Sequence, residues 1–266
     1  VVGGLVAALA LLAAKAKLVA VLVLKFGVTG WTMALSAWAY STQVGWPFAA
    51  LLVGLILVHE IGHGVAARRL GVRVGAPVFI PFFGAFIALR DRPGDRWGDF
   101  VIAAGGPLLG GLASLGCLAA ATVTDGGRAL LAGCGYFALT INVFNLLPVW
   151  IFDGSKMLPA VRVRDGAIGI GIGAATLIGI GLASDHVATL PLLVLVCAGW
   201  QLATRGRRAP GAGSSLLEQV APLAAPVVAR DEVMDADAGR RWWAVAGYFG
   251  MIVGYGAALE LLVAPR

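Results

Sequence analysis

Five consecutive residues, His59-Glu60-Ile61-Gly62-His63, close an apolar run that begins near Pro47. On a helix the two histidines lie one turn apart and point the same way, so their imidazoles can hold one zinc ion from a single face. Glu60, next to the first imidazole, is placed to take a proton from an attacking water as general base. Those residue types at that spacing carry the chemistry of a zinc hydrolase. The pattern stands out because the chain has only three histidines and four glutamates in 266 residues. The competing reading is a polar helix turn without metal. It is disfavoured because three ionisable side chains inside an apolar helix are costly without a role.

A catalytic zinc takes three protein ligands and leaves one position open, so the two histidines need a partner. The extended zincin spacing asks for a histidine six residues past His63, where the chain has Arg69. His186 belongs to a connection that the charge pattern puts on the other side of a membrane, and reads as a solvated turn residue. Asp153 is the better candidate. It follows the run NVFNLLPVWIF, in which Pro148 removes a backbone donor just where a helix must unwind to bring a carboxylate inward.

The elements that must position these residues are membrane spans. The chain is 59% hydrophobic and 13% charged, and its mean hydropathy is +0.89, far from an average soluble domain. Seven apolar runs reach or approach the roughly twenty residues that cross a hydrocarbon core, at 26–44, 47–68, 99–123, 129–150, 166–184, 187–204 and 242–263. The net charge of +6 does not point to nucleic acid, because the basic residues fall in short clusters between these runs and form no basic surface domain. Cys117, Cys134 and Cys197 are odd in number and lie inside apolar runs, which fits neither a disulfide framework nor metal-ligand spacing.

Every second connection is basic. Arg68, Arg69, Arg73, Arg90, Arg92 and Arg96 follow the second run, Lys156, Arg162 and Arg164 the fourth, and Arg205, Arg207 and Arg208 the sixth. The positive-inside rule therefore assigns those connections to the cytoplasm. His63 and Asp153 then reach the same side by parity alone. Residues 72–97 are punctuated by Pro77, Pro81, Gly84 and Pro93 among Val, Phe and Ile, which predicts a β-hairpin or re-entrant ribbon at the cytoplasmic interface. An exposed edge of that ribbon, at residues 76–89, could pair with an extended peptide.

The expected architecture is an all-α polytopic membrane protein of about six to seven transmembrane helices with this small ribbon. Its parts are an N-terminal segment at 1–25, a membrane-embedded core at 26–204, a cytoplasmic linker at 205–241 and a last span at 242–266. Within the first part, residues 3–24 read as an interfacial or partly inserted helix. A signal peptide is disfavoured because Lys15, Lys17 and Lys25 follow the apolar stretch.

HEIGH in an early span, AAGGP at 103–107 opening the next and NLLPVWIFDG at 145–154 ending the one after resemble the site-2 protease family of intramembrane zinc metalloproteases. GWPFA at 45–49, VHEIGHGVAARRLG at 58–71 and PVFIPFFGAFIAL at 77–89 look like its bacterial branch without large accessory domains. The resemblance covers about residues 26–160 and, more loosely, the last span. It implies one zinc per chain on His59, His63 and Asp153, Glu60 as the base, and Asn145 as an amide near the scissile peptide. It further implies a transmembrane protein substrate, with the active site toward the cytoplasmic side of a cell-membrane protein. The chain departs from the family pattern at Trp150 and Ile151, where prolines are frequent, at Phe152 and Ser155, and at Gly111, where an asparagine is common. A membrane metal-ion transporter and a non-catalytic relative are the alternatives. Glu60 beside a ligand suits a hydrolytic base and has no need in simple ion binding.

Overall fold

The left-handed backbone of Gly45 (φ 80°) separates two helices, α1 over residues 27–44 and α2 over Trp46–Arg69, the second opened by Pro47. The computed structural model describes residues 27–91, 93–149, 151–184, 189–205 and 238–263. After α2 the chain forms an antiparallel hairpin, β1 (Val74–Ile80) and β2 (Gly84–Leu89). There follow α3 (Arg96–Val123), α4 (Arg128–Asn145), the short α5 (Asp153–Met157) running into a 3-10 turn at Leu158–Ala160, then α6 (Val163–Ser184), α7 (Thr189–Arg205) and α8 (Ala238–Val263). The expected interfacial helix at 3–24, the turn holding His186 and most of the linker at 205–241 lie outside the described residues.

All seven apolar runs become helices. Four of them, α2, α3, α6 and α8, are long and apolar enough to cross a membrane, and α7 is a shorter apolar helix. The protein is thus a multi-pass helical membrane protein with a small two-stranded sheet. The fourth run, read to residue 150, stops as a helix at Asn145. Pro148 cannot donate, and the Leu146 and Leu147 amides close the helix by bonding back to the Val143 and Phe144 carbonyls. The helix α8 packs into the core with α3, α4, α6 and α7.

Lipid tails are as apolar as leucine, so these helices gain little by hiding apolar surface from one another and associate instead through close packing of small residues. The α2–α3 pair shows how. A Cβ at Gly62 would overlap the Gly105 carbonyl, and one at Gly105 would come within 2.5 Å of the Gly62 carbonyl and 2.9 Å of Ala66 Cβ. Backbone meets backbone here. The capping carboxylate of Asp95, accepting from the Gly98 amide at 2.7 Å, fixes where α3 begins.

The hairpin is held from two sides. Arg73 donates to both carboxylate oxygens of Asp91 at 2.7 Å at its base, and this guanidinium lowers the Asp91 carboxyl to about 2. The pin is therefore complete above the ordinary aspartate range near 4 and lost only as pH falls through about 2. Along β1, α1 supplies hydroxyls: Thr29 donates to the Pro77 carbonyl (2.6 Å), Thr32 accepts from the Phe79 amide (3.1 Å) and Tyr40 accepts from the Phe82 amide (3.1 Å). Tyr40 also packs edge-on against Phe82, which holds the turn in its left-handed conformation (φ 65°). The outer edge of β1, one of the two edges of the ribbon, is thus covered by a helix.

Candidate active site

Four elements, α2, α3, α4 and α5, converge on the site. The helix α2 carries His59 and His63 one turn apart with their rings edge to face, centroids 4.8 Å from each other. Asp153 opens α5, and its Oδ2 lies 3.2 Å from His59 Nε2 and 3.3 Å from His63 Nε2, while the two Nε2 atoms are 3.1 Å apart. His59 and Asp153 are buried, at 6% and 7% exposure. The residues that parity brings to one side are therefore in direct contact across 90 residues of chain.

The tautomers are set from outside the cluster. The Ile102 carbonyl can only accept, so His63 carries its proton on Nδ1 and donates it there at 2.8 Å. Asn142 donates its Nδ2 to the Ala138 carbonyl at 2.8 Å, which turns its Oδ1 to His59 Nδ1 at 2.9 Å and sets the same tautomer. Both Nε2 lone pairs then face each other and a carboxylate oxygen. Three acceptors at 3.1–3.3 Å repel one another unless a cation lies among them. Zinc bonds of roughly 2.0–2.1 Å at tetrahedral angles put ligand atoms roughly 3.3–3.4 Å apart, close to these spacings. The three residues fit a zinc ion by chemistry, tautomer and geometry.

Glycines make the approach feasible. A Cβ at Gly106 would overlap the His63 ring and come within 2.8 Å of His59 Nε2; one at Gly110 would come within 2.6 Å of Asn142 Oδ1 and 2.9 Å of His59 Cβ. Gly106 and Gly110 thus lay a side-chain-free face of α3 over the two histidines, and within this helix the Pro107 carbonyl accepts from the Tyr255 hydroxyl at 2.9 Å. Gly111 clears room for that tyrosine ring. The departure from the family's asparagine at this position therefore has a partner in α8.

Glu60 is buried (5% exposed) and within electrostatic range of His59, His63, Asp153 and Lys156. Asn145 is half-buried as the last residue of α4, about one turn beyond Asn142, and no side-chain hydrogen bond among the described residues fixes its amide. Asn142, which the sequence leaves unassigned, is the side chain that touches His59. Removing its carboxamide, as in Asn142→Leu, is expected to weaken zinc binding about 10–100-fold while His63 keeps its own carbonyl partner. Chelator competition measures this, and parental affinity in the variant would show that His59 is oriented without Asn142.

Fold and site together define a helical membrane protein with a two-histidine, one-carboxylate cluster that fits a metal ion. Residues 47–126, which hold all of α2 but its first residue, the hairpin and the whole of α3, match the family model of peptidase family M50. This stretch of the chain is thus similar to that family. The chain is 28% identical over 200 residues to a probable chloroplastic zinc metalloprotease, EGY1, of Oryza sativa subsp. japonica, covering 57% of this chain and 34% of that protein. Over 151 residues it is 33% identical to the putative zinc metalloprotease Rip3 of Mycobacterium tuberculosis, covering 51% of this chain and 38% of that one. The chain thus spans a little over a third of the length of these curated relatives. A solved site-2 protease from Methanocaldococcus jannaschii aligns with a TM-score of 0.40 at 20% identity, covering 69% of this chain and 90% of that one.

Proposed function

We propose that this protein is an intramembrane zinc endopeptidase that hydrolyses peptide bonds of membrane-spanning substrates near the cytoplasmic face. The observation that carries the reading is a zinc-compatible cluster, with a buried glutamate beside it, partway along an apolar helix. At 1.5 Å per residue, His63 lies about 9 Å and His59 about 15 Å from the Arg69 end of α2, inside the span but toward its basic end. Bound zinc would supply a Lewis acid that polarises the scissile carbonyl and makes water nucleophilic at neutral pH. Glu60 then takes the proton of the attacking water and returns it to the departing amine. Asn145, at the end of α4, donates its amide to the substrate backbone or to the developing oxyanion. These roles, like the ligand roles of His59, His63 and Asp153, are part of the proposal.

A substrate helix has every amide bonded in its own turn and must be extended before attack, which frees groups that need partners. With Pro77 and Phe79 turned outward to α1, their cross-strand partners Ile87 and Ala85 turn outward on β2. Strand addition would then use β2. Proline at Ala85 deletes one outward donor and is expected to slow cleavage several-fold with zinc occupancy unchanged. Parental rates in a folded, zinc-loaded Ala85→Pro protein would remove β2 from substrate binding.

The function is tested by reconstituting the purified chain in vesicles with a single-span substrate and locating the cut by mass spectrometry. Cleavage near the cytoplasmic end of the span is expected, and a membrane that passes metal ions without proteolysis would favour the transporter reading instead. Orientation is tested separately with reporter fusions. Those at Ser155 should report cytoplasm and those at Gly126 the outside; a cytoplasmic signal at Gly126 would contradict the assigned topology.

A further inference from the structure

Asp153 follows irregular backbone, residues 146–149 and 151–152, that must deliver its carboxylate to two histidines on another helix. The break at Pro148 leaves backbone carbonyls with no helical partner. Two side chains from the C-terminal half of the chain take them. Tyr248 of α8 donates to the Leu146 carbonyl at 2.8 Å, with both residues fully buried, and Gln201 of α7 donates to the Pro148 carbonyl. The Leu146 carbonyl is also where α5 lands. A Cβ at Gly154, the residue after Asp153, would overlap that carbonyl and come within 2.7 Å of the Leu147 carbonyl. One carbonyl thus both abuts the turn that bears Asp153 and accepts from a tyrosine hydroxyl.

We propose that Tyr248 and Gln201 are positioning residues for the third zinc ligand: they lock the carbonyls of residues 146 and 148 and so fix where Asp153 is presented. The inference rests on Asp153 being a ligand. It gives the last helix a task at the metal centre although none of its residues belongs to the HEIGH, AAGGP or NLLPVWIFDG stretches. The ring of Tyr248, packed edge-on against Phe249 at 5.1 Å, anchors the hydroxyl in the core of the bundle. A shift of α8 would therefore reach the Asp153 segment through the Tyr248 hydrogen bond.

The test uses the full chain in detergent and reads zinc affinity by chelator competition, together with the visible absorption of the cobalt(II)-substituted protein. Tyr248→Phe and Gln201→Met should each weaken zinc about tenfold and alter the cobalt spectrum, in keeping with the loss of an outer-shell support. Ile252→Val, a buried trimming on the same helix, should lower thermal stability while leaving affinity and spectrum as in the parent. If Tyr248→Phe does not fold, Gln201→Met decides alone. Parental affinity and spectrum in the folded variants overturn the inference, and so does an equal loss in Ile252→Val. Asp153→Ala, measured alongside, separates the two levels. If it binds zinc like the parent, the ligand assignment fails; if it alone loses zinc, the ligand stands and the positioning role falls.

Discussion

Glu60→Gln is expected to keep its zinc and lose about 10²–10⁴-fold of its cleavage rate, the range that a positioned general base contributes. The substitution preserves the shape of the side chain and removes only its ability to accept a proton. It leaves His59, His63 and Asp153 with their partners, since Glu60 supplies no atom to that cluster. The comparison needs two readings on one preparation, metal content and turnover of a membrane-spanning substrate. Zinc lost along with activity would mean that Glu60 serves to hold the metal. Turnover retained within tenfold would assign the proton to another group.

Gly106→Ala is expected to be as damaging to zinc binding as the loss of a ligand, with a fall in affinity of at least about 100-fold. A single methyl at this position would occupy the space against His63 and His59 Nε2. Neither ring can move aside easily. His63 is tied to the Ile102 carbonyl and His59 to Asn142, and the two helices already touch through Gly62 and Gly105. Close-packed interiors transmit such a change rather than absorb it. Gly54→Ala on α2, where an added methyl meets nothing within 4 Å, is the matched control and should bind zinc as the parent does. Equal affinities for the two variants would show that α3 stands farther from the ligands than this account requires.

Much of the architecture was legible because bilayer length and apolar composition nearly suffice to mark a span, and the seven runs all became helices. The ribbon was legible from the prolines and glycines that punctuate 72–97, although the hairpin ends at Leu89, and Arg96 and Trp97 already belong to α3. Parity was enough to bring His63 and Asp153 to one side, since helices joined by short connections must alternate. What the sequence withheld was contact. Nothing in the spacing of Asn142, 83 residues from His59, says that its carbonyl oxygen faces Nδ1; that depends on Gly110 letting α3 lie close beside both. The hydroxyls of Thr29, Thr32 and Tyr40 read as unremarkable residues of an apolar helix, yet they decide which edge of the ribbon is covered. Tyr248 and Gln201 lie outside the stretches that carry the family resemblance, and only packing brings them to the Asp153 segment.

The most direct measurement of the central claim is zinc K-edge X-ray absorption on the purified full chain and on Asp153→Ala, with metal content determined on the same samples. The account predicts about one zinc per chain, two imidazole nitrogens and oxygen ligation at roughly 2.0–2.1 Å, and loss of zinc from Asp153→Ala. Sulfur in the first coordination sphere, no zinc in the parent, or an unchanged spectrum in Asp153→Ala would contradict it.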